Sequence, residues 1–273
     1  MISVNPERRE FHLKNQNISY IFRVMEELDV LEQLYFGSSI PIYDQYDFLI
    51  EREIRPANNQ IKQNYTTSLE HIKQEVGLYG TTDFRYPMLR VRYPKGDRIS
   101  HFTYQHYRIE LGKQALSGLP GSFGEAGETL IITLQDRYSP LQVELYYTLF
   151  GEESVVTRQM KIINPSETTF ELLDCLSFNL DLPNQHYDWL HLDGAWARET
   201  QISRNSIAYG VQEVASTRGA SSHVHNPFMA VCESNATEEQ GKIYGFSLIY
   251  SGNFVARLQL DTYCLLYTSP SPR

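Results

Sequence analysis

The amino-acid sequence predicts an all-β chain, a large antiparallel sandwich, and three observations support this. Apolar residues recur at every second position in segment after segment, turn-forming clusters separate those segments at short intervals, and no long amphipathic helix falls between them. Strands without intervening helices cannot make the crossovers of a parallel sheet, which leaves antiparallel layers. The 19 Tyr and 13 Phe suit such layers, because aromatic side chains fill a pleated, half-buried surface.

Residues 41–77 are the first clear interruption. They are polar, with Pro56-Ala57-Asn58-Asn59 at the centre, and read as a long loop with one helical turn around Ser68 to Gln74. Turns follow at Pro94-Lys95-Gly96-Asp97 and Gly118-Leu119-Pro120-Gly121. Thr129 to Gln135 places Leu130, Ile132 and Leu134 on one face of a strand. Asp136-Arg137-Tyr138-Ser139-Pro140 then turns the chain into Leu141 to Leu149, a half-buried strand. Its Leu141, Val143, Leu145, Tyr147 and Leu149 share one face, and Gln142, Glu144, Tyr146 and Thr148 take the other. Beyond Asn164-Pro165-Ser166, residues Phe170 to Asp181 read as one strand with Phe170, Leu172, Leu176, Phe178 and Leu180 on one side. Pro183 to Gln201 breaks the alternation, carries both Trp residues and reads as a non-strand connection. Tyr244, Phe246, Leu248 and Tyr250 form a last row before the turn Ser251-Gly252-Asn253. Cys264 to Arg273 continue no strand pattern and are set aside as a tail foreign to the fold, so that residues 1–263 read as one domain.

At 273 residues, with 41% hydrophobic and 21% charged, the chain can bury a sizeable core. Dispersed Lys and Arg and a formal charge of −9 repel a phosphate backbone and an anionic bilayer, so neither nucleic acid nor membrane is an expected partner. The three cysteines, Cys175, Cys232 and Cys264, are too scattered for a disulfide framework. The opening residues are polar and no apolar run approaches a membrane span, so the expected setting is the cytoplasm, where the sequons at Asn17, Asn64 and Asn235 are chance matches.

Few constellations suggest chemistry. His223 and His225 lie two apart, as metal ligands on a strand can, but no third ligand stands at matching spacing; His186 and His191 beside Trp189 are read the same way. No metal and no cofactor are expected. No nucleophile elbow, phosphate-binding loop or separable pair of catalytic carboxylates is visible, so no catalytic residue is assigned. Residues 186–199 differ in concentrating two Trp, an Arg and several carboxylates, the mixture with which a sugar is stacked on indole and hydrogen-bonded through its hydroxyls. A packed Trp pair is the bland alternative.

The run Asp188-Trp189-Leu190-His191-Leu192-Asp193-Gly194-Ala195-Trp196-Ala197-Arg198-Glu199 resembles the bacterial α-galactosidases of glycoside hydrolase family 36. Tyr79 to Arg85, Arg98 to Tyr104, His106 to Ile109, Leu116 to Pro120, Arg218 to His223, Asn226-Pro227-Phe228, and Tyr244-Gly245-Phe246 with Tyr250 to Phe254 carry further matches in order, and the resemblance covers about residues 3–263. It implies a β-supersandwich like that of galactose mutarotases, with few short helices, placed before a (β/α)8 barrel. The barrel carries both catalytic aspartates for retaining cleavage of melibiose- and raffinose-type oligosaccharides. The Lys-Trp-Asp motif of its nucleophile does not occur here, so the chain alone is expected to be inactive. The resemblance assigns Trp196 to substrate contact at the rim of the pocket and places Glu53 and Tyr65 where the family offers an Asp and an Arg. It also implies a homotetramer. A stand-alone carbohydrate-binding or mutarotase-like module is the alternative.

Overall fold

The computed structural model of the chain describes residues 1–51, 67–122, 126–183, 185–261 and, as backbone, 264–268. They fall into two compact units, Met1–Ala115 with Phe123–Leu180, and Leu116–Ser122 with Asp181–Arg273.

The strands of the first unit are β1 (Ile2–Asn5), β2 (Glu10–Lys14), β3 (Ile18–Val24), β4 (Leu31–Ser38), β5 (Leu89–Arg92), β6 (Phe102–Leu111), β7 (Ala126–Asp136), β8 (Gln142–Phe150), β9 (Val156–Ile163) and β10 (Glu171–Cys175). β1 to β4 form one antiparallel meander, β6 to β9 a second, and β5 pairs with β10. The meanders pack face to face through aromatic rings: Phe22 stacks on Tyr147 at 4.9 Å and on Phe11 at 5.1 Å, and Phe11 meets the edge of Tyr107 at 5.3 Å. Each fully buried aromatic of this kind contributes about 1.5–3 kcal/mol by leaving water, and edge or offset ring pairs add to it. This unit is the predicted antiparallel sandwich.

The structure corrects three sequence expectations here. β8 is buried on both faces rather than one, because the row Glu144, Tyr146 and Thr148 is roofed by partners. Arg108 Nη1 and Tyr146 Oη donate to the two Glu144 oxygens at 2.7 Å, and the hydroxyls of Thr148 and Thr129 meet at 2.8 Å. The single strand expected from Phe170 to Asp181 is two, since Asp174 interrupts its apolar row and is taken up by Arg90 beside a bulge between Leu172 and Asp174. In the long loop, Leu69–His71 is the expected helical turn, a 3-10 turn with Ser68 Oγ accepting from Glu70 N, but a second, Asp47–Leu49, was not foreseen.

A buried histidine links this packing to pH. His12 is 1% exposed, its Nδ1 2.6 Å from Tyr46 Oη and its Nε2 2.8 Å from Ser19 Oγ. Burial, with Lys14 adding to it, pushes the imidazole down from 6.5 to about 4. Below pH 6.5 the unfolded chain takes up a proton that the folded chain refuses until about pH 4, so stability falls with pH through that window. The expected loss is about 2 kcal/mol between about pH 7 and about pH 5. Urea midpoints across the window check it: His12→Gln flattens the slope, and an unchanged slope counts against this assignment.

The second unit holds β11 (Asn179–Pro183, from Asp181 onward), β12 (Tyr187–Ala195), β13 (Arg198–Ser206), β14 (Gly210–Ser216), β15 (His225–Glu233), β16 (Ile243–Ser247), β17 (Phe254–Leu260) and β18 (Cys264–Thr268). Its sheets run β11-β18-β17-β14 and β13-β12-β15-β16. Tyr244 and Phe246 in β16 form the half-buried row expected there. From Tyr187 onward, the stretch read as a connection is most of a hairpin. Tyr187, Trp189 and His191 alternate inward on β12, and β13 is polar because it is an exposed edge. Residues 264–268, set apart on sequence grounds, pair with β17 from Leu265 opposite Leu260 to Thr268 opposite Arg257.

Candidate functional site

The β12–β13 hairpin sends the two Trp residues in opposite directions. Trp189 follows the inward alternation, is 9% exposed, and lies against the His191 ring at 4.4 Å. Trp196 occupies the two-residue turn between the paired Ala195 and Arg198, and is 84% exposed. The packed-pair reading therefore holds for Trp189 only. An indole with that much surface in water is free to stack on a partner.

The turn is held in place from several sides. Ala197 sits at φ 63°, a conformation that costs an L-residue about 1 kcal/mol or more, and its N–H donates to Glu199 Oε1 at 2.9 Å. Gly194 supports the turn from below, because a Cβ there would stand 2.7 Å from Arg198 O, 2.8 Å from Glu199 Cα and 2.9 Å from His223 O. Only glycine lets the three backbone segments approach so closely. At the far end of the hairpin, Arg204 Nε donates to Asp188 Oδ2 at 2.8 Å while its two terminal nitrogens reach the carbonyls of Ala236, Ser234 and Glu233.

Between these fixtures lies a polar cluster that sequence spacing did not reveal. Asp193 Oδ1 is 2.9 Å from His191 Nδ1 and 2.8 Å from His225 Nδ1, and Ser203 Oγ donates to Asp193 Oδ2 at 2.6 Å. Burial alone would raise the Asp193 carboxyl, but Ser203, His225 and His191 hold it below its usual range. The spacing argument set His223 beside His225, whereas the third partner comes from the neighbouring strand. The register explains why. β12 pairs with β15 as His191 opposite Met229, then jumps to Asp193 opposite His225, so that two extra residues of β15 bulge around Pro227. Proline has no N–H for the ladder, and the bulge re-aims His225 onto Asp193.

Glu53 and Tyr65, the other two residues with an expected role at a sugar pocket, lie outside the described residues. Just before them, Tyr43 and Phe48 are exposed and meet edge to face at 5.2 Å. Two hollows in the first unit, of about 270 and 580 Å³, are lined by other residues than Trp196.

Residues 29–267 match the family described as the Glycosyl hydrolase family 36 N-terminal domain. The chain is 38% identical over 267 residues to alpha-galactosidase AgaA of Geobacillus stearothermophilus, covering 96% of this chain and 36% of that protein. Among solved structures it is similar to the alpha-galactosidase from Lactobacillus brevis, with a TM-score of 0.94 at 35% identity, over 100% of this chain and 37% of that one. It is similar also to a substituted form of AgaA from Geobacillus stearothermophilus in complex with raffinose, with a TM-score of 0.89 at 37% identity, over 97% of this chain and 37% of the other. The chain thus spans little more than a third of the length of the relatives it matches.

Proposed function

This chain belongs to the glycosyl hydrolase family 36 N-terminal domains, and from that premise we propose that it is the non-catalytic first part of a retaining α-galactosidase acting on raffinose- and melibiose-type oligosaccharides. Its own contribution is one wall of the galactose pocket and a surface for assembly. The observation that carries the reading is Trp196, 84% exposed at the tip of a hairpin whose geometry Gly194 and Glu199 fix. A rigid indole loses little conformational entropy when a sugar ring stacks on it, which suits a pocket wall better than a flexible side chain would.

The chemistry is assigned to residues beyond this chain. Retaining cleavage needs two carboxyl groups about 5–5.5 Å apart across the scissile bond. Two buried carboxylates of the first unit are committed elsewhere: Glu75 accepts from Tyr20, Tyr147 and Arg158, and Asp83 is bound by Arg85. Homotetrameric assembly belongs to the same proposal and is supported by the family resemblance. A cytoplasmic setting is supported by the free thiols of Cys175 and Cys232. No helix of the described residues is long and apolar enough to cross a membrane.

A chromogenic α-galactoside tests the division of labour. The 273-residue chain alone is expected to give no turnover above the uncatalysed rate, and turnover at enzyme-like rates would show that the chemistry lies inside it.

A further inference from the structure

We propose that His191, Asp193 and His225 form a binding site for one divalent cation of the zinc class. The three donors converge on one face of the β13-β12-β15-β16 sheet: His191 and Asp193 are two apart on β12, and His225 stands opposite Asp193 on β15. One ligand atom from each lies within 4.8 Å of the others. The two closest pairs, His191 Nδ1 and His225 Nδ1 to Asp193 Oδ1, are 2.9 and 2.8 Å apart. A four-coordinate ion with bonds of about 2.0–2.1 Å holds neighbouring donors roughly 3.3 Å apart, so each histidine–Asp193 pair needs to part by about half an ångström, and the two imidazoles, within 4.8 Å of each other, adjust to the same spacing.

The donor set selects the ion. Two imidazoles and one carboxylate suit zinc and its neighbours in the first transition row, whereas calcium and magnesium want oxygen donors only. The surroundings prepare the ligands: Ser203 Oγ occupies Asp193 Oδ2 and leaves Oδ1 for the ion, and the His191 ring is held against Trp189. His191 is 10% exposed in its side chain, but Asp193 and His225 are 29% and 34% exposed, so an ion can enter and a water can complete its shell. Without metal, both rings can donate Nδ1–H to the carboxylate. On binding, each neutral ring changes tautomer through solvent, releasing the Nδ1 proton to water and taking one up at Nε2, so that the Nδ1 lone pair meets the ion and water is the only other reactant. A bound ion ties β12 to β15 three residues before Trp196.

Titration of metal-free protein with zinc chloride in a calorimeter is the direct test. The expected result is saturation at one equivalent, with Asp193→Asn and His225→Asn each weakening affinity by about tenfold or more. Both substituted positions are half-exposed, and far-UV circular dichroism verifies that the variants fold. His223→Asn, an exposed histidine outside the cluster, keeps the affinity of the parent. Cobalt gives a second readout, since bound Co²⁺ absorbs in the visible according to its coordination geometry; calcium and magnesium should not displace it. The proposal is overturned if zinc shows no one-equivalent saturation, or if binding persists unchanged in folded Asp193→Asn and His225→Asn, which would place the ion at other histidines or at the free thiols.

Discussion

Replacing Arg158 with methionine is expected to cost about 3–5 kcal/mol of stability, because it leaves a buried carboxylate without its counter-charge. Glu75 is fully buried between the meanders of the first unit. Tyr20 Oη donates to one of its oxygens and Tyr147 Oη and Arg158 Nη1 to the other, each at 2.7 Å. Arg158 lies in turn over the Tyr147 ring at 4.3 Å and faces Phe178 at 5.2 Å. Burial raises the Glu75 carboxyl, and Arg158 with the two phenols opposes it. Three donors on two oxygens favour the ionised form, which water cannot reach once the guanidinium is gone. The cost of losing one partner exceeds the net worth of the pair, since Arg158 Nε is itself buried with no hydrogen-bond partner among the described residues. Glu75→Gln with Arg158→Met is therefore expected to recover part of the loss. Urea denaturation of the single and double variants reads this, and a single Arg158→Met within about 1 kcal/mol of the parent would show the charge to be solvated or dispensable.

This network also marks where reading by period stops. The alternation of Leu141, Val143, Leu145, Tyr147 and Leu149 locates β8 and its inward face, because that pattern is set by the pleat. It says nothing about what covers the other face. Glu144 looks like a solvent residue until Arg108 comes over from β6, and Arg108 is distant in sequence. The same blindness hid the β12–β13 hairpin. Its inward row is Tyr187, Trp189 and His191, in which a polar residue fills a core position, and its partner strand is polar apart from the exposed Ile202. Hydropathy alone then shows no strand at all.

The candidate site was legible unevenly, for physical reasons that differ by residue. Trp196 is singled out by the motif around Gly194-Ala195-Trp196, and the fold leaves it exposed on the turn. Gly194 could have been understood only from the crowding of Arg198, Glu199 and His223 around it. The union of His191, Asp193 and His225 depends on a bulge of two residues, and a bulge shifts register without a fixed signature in spacing. Pro227, which cannot donate to the ladder, is the one local clue, two residues from the histidine it redirects.

Trp196→Ala, made in a full-length enzyme with this chain as its N-terminal part, is expected to lower kcat/KM for raffinose by about tenfold to a hundredfold, the equivalent of roughly 1–3 kcal/mol of lost stacking. The fold should not suffer. Trp196 is 84% exposed and no packing is lost with it, so denaturation midpoints of parent and variant should coincide. That separation is what distinguishes a pocket wall from a structural residue: a Trp that stabilised the hairpin would lower the midpoint, and one that only met another protein surface would alter assembly at unchanged kcat/KM per active site. Trp196→Tyr retains an aromatic face and is expected to recover much of the loss, whereas Trp196→Leu supplies apolar area without a π face to meet the C–H groups of the sugar and should recover less. If Trp196→Ala turns over raffinose like the parent, the indole faces something other than substrate and the assignment of this hairpin to the pocket is wrong.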